Sequence, residues 1–339
     1  MPQKWKQRPT GSTWGDYGPD DQLGRVNLLT PANTLKAVKE VRQGLRFCLS
    51  LPLDIPATNA LNARRQPPKF KPVIREGHVA FNLPLCKVER WRTEVNCDEA
   101  VTLYMQHSTQ WDSFAHMGAL FDADGDGKPE PVYYNGHQVV NAETGKPLFG
   151  SVGACCLGME HMAKACMQGR GVMVDLHAHF GREHKPIGYD ALMRVFDADA
   201  IHVEQGDLVC FHTGYAQMLI DDPHLDDAPM FNESFTGLDG RDEKLKQWIT
   251  DSGVVALISD NRAVEFEYEG PPPGVVQGPL LGLHELCLFK LGVHLGELWY
   301  LTELARWLRQ HKRHRFLLTA PPLHLPGAVG SPANAIATV

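Results

Sequence analysis

The sequence has no uninterrupted hydrophobic run that approaches the ~18 residues of a transmembrane helix. Its first residues, MPQKWKQRPTGSTWGDYG, lack the apolar core of a secretory signal. Basic clusters are scarce too, and the longest, RQHKRHR near the C-terminus, is typical of the solvated end of a helix. The formal net charge of −7 argues against nucleic-acid and anionic-membrane partners. We therefore expect neither kind of partner.

The cysteines do not form the pattern of a disulfide framework. The chain has eight, with no C-x-x-C pair, at positions 48, 86, 97, 155, 156, 166, 210 and 287. Scattered thiols of this kind are typical of a reducing compartment, so we predict a cytoplasmic protein. The G-x-S-x-G, G-x-x-x-x-G-K-[ST] and G-x-G-x-x-G motifs are also missing, which leaves serine-hydrolase, nucleotide-binding and dinucleotide-binding functions without support.

The composition is that of an ordinary globular protein, since 43% of the 339 residues are hydrophobic and 22% are charged. Residues 1–30 are rich in Gly, Pro, Asp and Trp, which predicts an irregular N-terminal arm. We expect residues 31–339 to form a single α/β domain that has a mixed central sheet with flanking helices, because strand and helix signals alternate along this part of the chain.

Individual elements can be read from local patterns. TPANTLKAVKEVRQG predicts a helix that is capped by Thr30 and ends at Gly44. GVMVDL, DLVCFHTG and VVALISD are short apolar runs that predict buried strands. Residues 57–78 are polar and contain prolines, which indicates a long surface loop of the kind that often serves as a lid.

The stretch QHSTQWDSFAH, residues 106–116, combines amide, carboxylate and imidazole side chains. On a strand, Gln106, Gln110 and Asp112 share parity and point to the same face. Such groups are costly to bury unless they pair with one another, with a cation or with water. The intervening residues are hardly more apolar, so a strand side that faces solvent is the alternative interpretation.

A second candidate segment, GLHELCLFKLGVHLGELWYL, lies far along the chain. It carries His284 on a predicted helix and Glu297 in an extended stretch. Gly292 ends the helix and lets the chain return, so that the two side chains can approach each other. Taken alone, the segment is explained better by a surface histidine and a surface glutamate.

The chain resembles the cyclase family of metal-dependent hydrolases, whose signature is H-x-G-T-H-x-D-x-x-x-H, followed much later by a histidine and a glutamate. The matching residues of this sequence are Gln106, Ser108, Thr109, Gln110, Asp112, His116, His284 and Glu297. WGDYGPDDQLGRVNLLTP, YYNG, VEQGDLVCFHTGY and ISDNRAVE are similar to family segments in the same order. The resemblance therefore runs almost from end to end.

This resemblance implies a swivelling β/β/α fold and a bound divalent metal ion. The metal contacts that it implies are Gln106, Gln110, Asp112, His284 and Glu297, and the general acid/base that it implies is His116. Glutamine takes the place of both signature histidines, as in the Q-x-x-x-Q-x-D branch that resembles trans-dienelactone hydrolase and for which zinc is implied. An amide oxygen is a harder and weaker ligand than imidazole, so Mn²⁺ is the alternative to Zn²⁺.

By the same resemblance we expect a hydrolase that opens a small cyclic ester, above all a lactone of aromatic catabolism, by means of metal-activated water. Hydrolysis of an arylformamide or a cyclic amide is the second interpretation. A metal-free protein that binds a small acid on the same fold is the third. Assembly into a homodimer or homotetramer is expected by analogy. The residues predicted to line the substrate pocket are Trp111, Phe114, Tyr134, His177 and His212.

Two further motifs offer rival metal sites. DADGDGKPEPVY, from Asp122, opens like a calcium-binding loop, but Tyr133 stands where an EF-hand needs a bidentate glutamate. We therefore predict an acidic turn. DLHAHFGREH places His177, His179 and His184 close together after a strand, and the first two would share a strand face. We interpret this cluster as hydrogen-bonded or substrate-facing, and not as a set of metal ligands.

Overall fold

A nine-stranded mixed sheet forms the centre of the part of the chain that the computed structural model describes, namely residues 4–138, 153–225, 230, 233–272 and 274–339. Its strands are β1 (Arg46–Cys48), β2 (Gln110–Asp112), β3 (Gln168–Asp175), β4 (Leu208–His212), β5 (Ala256–Ser259), β6 (His294–Glu297), β7 (Arg315–Thr319), β8 (Gly330–Pro332) and β9 (Ile336–Thr338). In space they follow the order β1-β9-β7-β3-β4-β5-β6-β2-β8.

The four neighbouring strands β3 to β6 run parallel, and the other pairs in the sheet are antiparallel. The parallel strands are almost entirely buried, as expected where both faces of a sheet are covered. The three strands predicted from apolar runs are β3, β4 and β5, so those predictions are confirmed, as is the mixed sheet. Because β3 and β4 are parallel, their last residues, Asp175 and His212, are direct neighbours.

Helices connect these strands. Among the described residues the α-helices are Pro31–Val38, Met159–Lys164, Leu176–Phe180, Tyr189–Ala198, Tyr215–Asp221, Glu243–Ser252, Gly282–His284 and Thr302–Gln310. A π-helix spans Glu285–Leu291, and 3-10 turns occupy Gly24–Leu28, Leu85–Lys87 and Tyr134–Gly136. No helix in the described ranges has the length and apolar character needed to cross a bilayer.

The first helix begins as predicted and ends earlier than predicted. The Thr30 side chain accepts a hydrogen bond from the Asn33 backbone N–H at 3.3 Å, which confirms the cap. The predicted end at Gly44 is wrong, because the helix stops at Val38. The chain then turns toward its own C-terminus, where the Gly44 N–H donates to the Val339 carbonyl at 2.8 Å.

Short two-stranded ladders lie outside the central sheet. They pair Lys69–Pro72 with Glu99–Thr102, Ile74–Arg75 with His78–Val79, Leu83–Pro84 with Val95–Asn96, Ala119–Phe121 with Glu130–Val132 and Pro186–Ile187 with Gly237–Leu238. The segment predicted as a long surface loop, residues 57–78, is exposed or partly exposed over most of its length, and from residue 69 onward it also contains short paired strands.

Alternate side chains of the central strands fill two apolar layers, one on each face of the sheet. In β3, Val172 and Val174 belong to one buried cluster, whereas Met173 belongs to the other. The N-terminal segment contributes to the first cluster. Its Trp14 is fully buried, and its ring lies 5.1 Å from that of Phe289. Apart from the 3-10 turn Gly24–Leu28, residues 4–30 form no helix and no strand of a sheet, and Trp14 anchors this segment in the core.

Candidate metal centre

The predicted strand over Gln106–Asp112 is only half correct. Strand β2 begins at Gln110, and residues 105–109 form turns and bends. The side chains there bond to neighbouring backbone, as when Ser108 Oγ donates to the Ile55 carbonyl at 2.6 Å. Gln110 and Asp112 therefore point to the same face of the strand, as predicted. Gln106 lies outside the strand, so strand alternation does not fix the direction of its side chain.

Strands β2 and β6 bring the two candidate segments together. They pair antiparallel with Gln110 opposite Glu297, and the Gln110 Nε2 donates to Glu297 Oε2 at 2.7 Å. His284 Nε2 lies 3.2 Å from Glu297 Oε1. One ligand atom from each of Asp112, His284 and Glu297 lies within 4.8 Å of the other two. Side chains from remote parts of the sequence thus converge on one point.

The oxygen atoms around this point are buried and lack hydrogen-bond partners. Among the described residues, no group donates to either carboxylate oxygen of Asp112 or to Gln110 Oε1. Glu297 Oε1 is approached by His284 Nε2 at 3.2 Å without a well-formed hydrogen bond. Burial of such atoms without partners is costly. Carboxylates, an amide oxygen and one imidazole are ligands that Zn²⁺ and Mn²⁺ accept, so the residues present fit a divalent cation.

Glu265 orients the imidazole of this group. Its Oε1 accepts hydrogen bonds from His284 Nδ1 at 2.8 Å and from the His284 backbone N–H at 2.9 Å. The proton on Nδ1 leaves Nε2 available as a ligand on the side of Glu297. This role could not be predicted from the sequence, because Glu265 lies in the segment ISDNRAVE and no spacing rule connects that segment with His284.

The position of His284 depends on how the chain passes from helix to strand. The turn Gly282–His284 continues into the π-helix Glu285–Leu291. Gly292 closes this helix in the left-handed conformation, with φ of 60°, and β6 begins two residues later. The prediction that Gly292 ends the helix and returns the chain toward Glu297 is confirmed.

The centre holds excess negative charge. Three buried carboxylates, on Asp112, Glu265 and Glu297, surround the single imidazole of His284. Burial, followed by the charge of Asp112, raises the pKa of Glu297. Burial lowers the pKa of His284, but its contacts with Glu265 and Glu297 outweigh burial and raise it. A raised pKa at both Glu297 and His284 is expected where anionic groups lack a compensating cation.

His116 stands at the mouth of this centre, in a cavity of about 420 Å³ that also reaches His284 and Glu297. Its Nε2 lies 4.0 Å from Asp112 Oδ1, and its Nδ1 lies 3.3 Å from Gln106 Nε2. Gln106 is thus in the cavity wall and in contact with His116. A glutamine amide offers a donor on one side and an acceptor on the other, so it can hold the ring in either neutral tautomer.

The three aromatic residues predicted to line the pocket pack in the core instead. Trp111 points to the opposite face of β2 from Gln110, and its ring lies 4.9 Å from that of Trp299. Successive strand residues alternate between faces, so Trp111 cannot share a cavity with its two neighbours. Phe114 and Tyr134 pack against each other in the other layer, with 4.9 Å between ring centroids.

The two histidines predicted for the pocket line a different cavity, of about 300 Å³. His212 ends β4 and His177 lies on the adjoining helix, with 5.5 Å between their rings. They do not line the cavity of the metal centre, because β5 separates β4 from β6 in the sheet.

The wider histidine cluster does not form a chelating group. Residues 176–180 form a helix and not a strand, so His177 and His179 point in different directions. His179 pairs with Asp199 at 2.9 Å, and His184 packs against Phe266. His177 and His179 are hydrogen-bonded within the protein, as predicted, since His177 Nδ1 lies 2.9 Å from the Thr213 carbonyl.

The loop that opens like a calcium site is a hairpin turn. It joins the strands Ala119–Phe121 and Glu130–Val132, with no flanking helix pair in the described residues. Asp122 accepts backbone hydrogen bonds from Gly125 and Gly127 at 2.8 and 2.9 Å. The prediction of an acidic turn is confirmed, although Asp122, Asp124 and Glu130 are close enough together to hold an ion.

Several solved protein structures have a fold similar to that of this chain. The chain is similar to a solved structure described as a novel cyclase, with 28% identity, a TM-score of 0.75, and coverage of 97% of this chain and 99% of that one. It is also similar in fold to isatin hydrolase A from Labrenzia aggregata bound to benzyl benzoate, with 11% identity, a TM-score of 0.54 and coverage of 91% and 99%. For an isatin hydrolase bound to the product analogue thioisatinate, the identity is 13%, the TM-score 0.55 and the coverage 91% and 99%. No curated protein sequence matches significantly.

A sequence-family model gives the assignment. The model of the Cyclase family, described as "Putative cyclase", matches residues 48–265, which is more than half of the chain. The match includes Gln106, Asp112, His116 and Glu265, and it ends before His284 and Glu297, which the fold returns to the same point. The predicted resemblance and the predicted fold are confirmed, and the chain belongs to the cyclase family.

Proposed function

We propose that the protein is a metal-dependent hydrolase that opens a small cyclic ester. The observation that carries this proposal is the buried group of Asp112, His284 and Glu297, in which unpartnered oxygens and one oriented imidazole nitrogen meet beside a cavity. A purely structural ion-pair network would satisfy these oxygens with protein donors. Membership of the cyclase family supports the same class of activity.

The residues that would hold the ion are Asp112, His284 and Glu297, and Gln110 Oε1 would be a further metal ligand. We propose Zn²⁺ as the ion, because one imidazole and two carboxylates are an accepted zinc set, and Mn²⁺ as the second candidate because the set is rich in oxygen. When bound there, a divalent ion supplies Lewis acidity that polarises a carbonyl group and acidifies water.

His116 is the general acid/base of this proposal. It is accessible from the cavity, with 20% of its side chain exposed, while its Nε2 faces the buried carboxylate of Asp112. Nε2 removes a proton from the attacking water and returns it to the leaving oxygen. Gln106 Nε2 lies 3.3 Å from His116 Nδ1 and holds the ring there. For His116 Nε2 to act as the base, Nδ1 must carry the ring proton, and the Gln106 amide accepts a hydrogen bond from that N–H at its Oε1 after rotating by about 180°.

The proposed substrate is a lactone of the kind formed in the breakdown of aromatic compounds. The cavity of about 420 Å³ adjoins a second, largely apolar one of about 710 Å³, with Met117 and Leu280 in both walls, so there is room for a ring with a substituent. Arg65 lines the first cavity and donates to the Gln106 carbonyl at 2.7 Å. Its charge suits a substrate that also carries an acidic group.

The test combines metal analysis with a substrate panel. Purified protein is assayed by elemental analysis and then for hydrolysis of lactones, arylformamides and cyclic amides, before and after chelation and with added Zn²⁺ or Mn²⁺. We expect about one ion per chain and lactone hydrolysis that chelation abolishes. Asp54→Asn, a change at an exposed carboxylate, is the control for metal loss in Asp112→Asn.

Each result of this panel has a definite meaning. Metal-dependent hydrolysis confined to formamides or cyclic amides would contradict the proposed lactone substrate but would still support the proposed hydrolase activity. Metal-free protein that hydrolyses nothing and binds a small acid tightly would overturn the enzyme itself.

We also propose that the protein forms a homodimer or homotetramer in the cytoplasm. Large apolar side chains are exposed along one segment of the chain, namely at Phe70, Ile74, Val79, Phe81, Trp91, Val95 and Val101. Exposed apolar surface of this density is typical of an interface. The eight cysteines are free thiols, which supports a reducing compartment.

A further inference from the structure

The cavity of about 300 Å³ that His177 and His212 line lies at the carboxyl ends of the parallel strands β3 and β4. Among the described residues, none lines both this cavity and that of the metal centre. Small molecules commonly bind at this edge of a parallel sheet, where loops from neighbouring strands converge. The hydrolysis proposed above does not use this cavity.

His212 takes part in a chain of hydrogen bonds in the wall of this cavity. Its Nδ1 lies 2.8 Å from Asp175 Oδ1, and its Nε2 lies 3.3 Å from Thr302 Oγ1. The order of carboxylate, imidazole and hydroxyl resembles a catalytic triad. A second carboxylate is close by, because Asp260 Oδ2 lies 4.0 Å from Nε2.

The charge around His212 argues against a nucleophilic role for Thr302. Burial lowers the pKa of His212, but the hydrogen bond to Asp175 and the charge of Asp260 outweigh burial and raise it. The raised pKa favours the imidazolium form, and in that form Nε2 donates to Thr302 Oγ1 and cannot remove its proton.

Arginine side chains supply cationic groups to the wall of this cavity. Arg182 and Arg306 line it, and within the described ranges neither has an ion-pair partner. Arg309 is already engaged, since its Nε lies 2.9 Å from Asp175 Oδ2. The wall contains one further carboxylate, Asp221, which accepts a hydrogen bond from a neighbouring glutamine amide at 2.8 Å. Two guanidinium groups are therefore available to an anion.

The remaining wall is apolar. Phe235 and Met218 line it, and the guanidinium carbon of Arg182 lies 5.0 Å from the centre of the Phe235 ring. We propose that this cavity binds a small organic anion, whose carboxylate or phosphate is held by Arg182 and Arg306. The apolar body of that anion packs on Phe235 and Met218.

Calorimetric titration of the full-length protein tests this site. The probes are benzoate, phenyl phosphate and neutral benzamide, so that carboxylate, phosphate and the apolar ring alone are compared. We expect at least one anion to bind with a Kd below about 1 mM, and benzamide not to bind. Arg182→Gln and Arg306→Gln should each weaken binding by roughly 10-fold or more, because each removes a charged hydrogen-bond donor.

Two control variants separate this site from other binding. Arg42→Gln removes an exposed arginine that lies outside both cavities, and Asp112→Asn alters the metal centre; neither should change the Kd of the anion. Thermal unfolding checks that each variant is folded. Crystals soaked with the bound anion locate it independently of any variant.

Three results would overturn the proposal. These are no anion binding by the unaltered protein, an unchanged Kd in the Arg182→Gln/Arg306→Gln double variant, or electron density for the anion only at the metal centre.

Discussion

A buried carboxylate without a hydrogen-bond partner destabilises a protein unless something compensates its charge, and Asp112 is fully buried with both oxygens unpartnered. Whether Asp112 stabilises or destabilises the fold should therefore depend on whether a metal ion is bound. In chelated protein, Asp112→Asn should raise the free energy of unfolding by about 1–3 kcal/mol. In protein loaded with Zn²⁺ or Mn²⁺ the same change should lower it.

Denaturant titration in the presence and absence of chelator measures both values. Asp54→Asn, at an exposed position, is the matched control and should change neither. If Asp112→Asn destabilised the protein equally in both conditions, Asp112 would not be a ligand.

His116 should be needed for turnover and not for metal binding. His116→Ala removes the proton acceptor at the mouth of the cavity, so turnover should fall by ~10²-fold or more. Elemental analysis should find the metal content unchanged, since the ion is expected at Asp112, His284 and Glu297. His224→Ala, at an exposed histidine, is the control. Unchanged turnover in His116→Ala would remove this residue from the mechanism.

The ion pair between Asp175 and His212 should make stability depend on pH in a defined window. Burial raises the pKa of Asp175, but His212 and Arg309 outweigh burial and lower it from 3.8 to about 2. The pKa of His212 is raised above 6.5 in the fold. The Asp175 contribution is therefore lost as the pH falls from 3.8 through 2, and the His212 contribution is lost as the pH rises through its raised pKa.

The comparison of the unaltered protein with Asp175→Asn isolates this pair. The difference in the free energy of unfolding should be largest near about pH 5 and should shrink toward about pH 2 and above neutrality. We expect a maximum of ~1–3 kcal/mol, the range for hydrogen bonds to charged groups in buried surroundings. A difference that stays constant over this range would show that the pair does not titrate as a unit.

At the scale of elements, the turn at Gly292 positions His284 relative to Glu297. An added Cβ there would lie 2.7 Å from the Gly24 Cα, in addition to the strain of φ at +60°. Gly292→Ala should lower the free energy of unfolding by about 2 kcal/mol or more. Gly44→Ala is a matched control, because its φ is +70° and nothing lies within 4 Å, and it should cost about 1 kcal/mol.

Denaturant unfolding of both variants decides whether the close approach matters. Equal losses would mean that backbone conformation alone requires glycine at position 292, and that the contact with Gly24 contributes nothing.

Local elements could be predicted from the sequence where one local signal dominates. Strands β3, β4 and β5 were found because buried parallel strands are unbroken apolar runs, and Thr30 was found because a cap is a contact over a few residues. The turn over 105–109 could not be found, because it depends on Ser108 and Thr109 bonding to backbone at Ile55 and Leu298. Distant partners of this kind leave no mark on local periodicity.

At the scale of the whole molecule, the residues of the candidate site could be named in advance, and their arrangement could not. Asp112, His284 and Glu297 were predicted through the family resemblance. The location of His212 in another cavity follows from strand order, and the contact between Glu265 and His284 follows from the packing of a loop against a helical turn. Strand order is a property of the complete chain, and no single segment encodes it.

The exposed apolar segment gives a prediction at this same scale. Phe70 and Trp91 are 74% and 78% exposed, so the double variant Phe70→Ser/Trp91→Ser should shift the protein to a smaller species in sedimentation velocity. Leu35→Ser, at a residue that is 63% exposed on the first helix, should leave the assembly unchanged. An unaltered protein that sediments as a monomer would contradict the proposed oligomer.

The pairing of β2 with β6 also bears on how the protein reaches its final state during synthesis. Gln110 and Glu297 are 187 positions apart, so the two partners can meet only after Glu297 has emerged from the ribosome, long after Gln110. Closing so large a loop is slow. The proposed metal ion could thus be bound only late in synthesis, and translation products that end before Glu297 could not retain it.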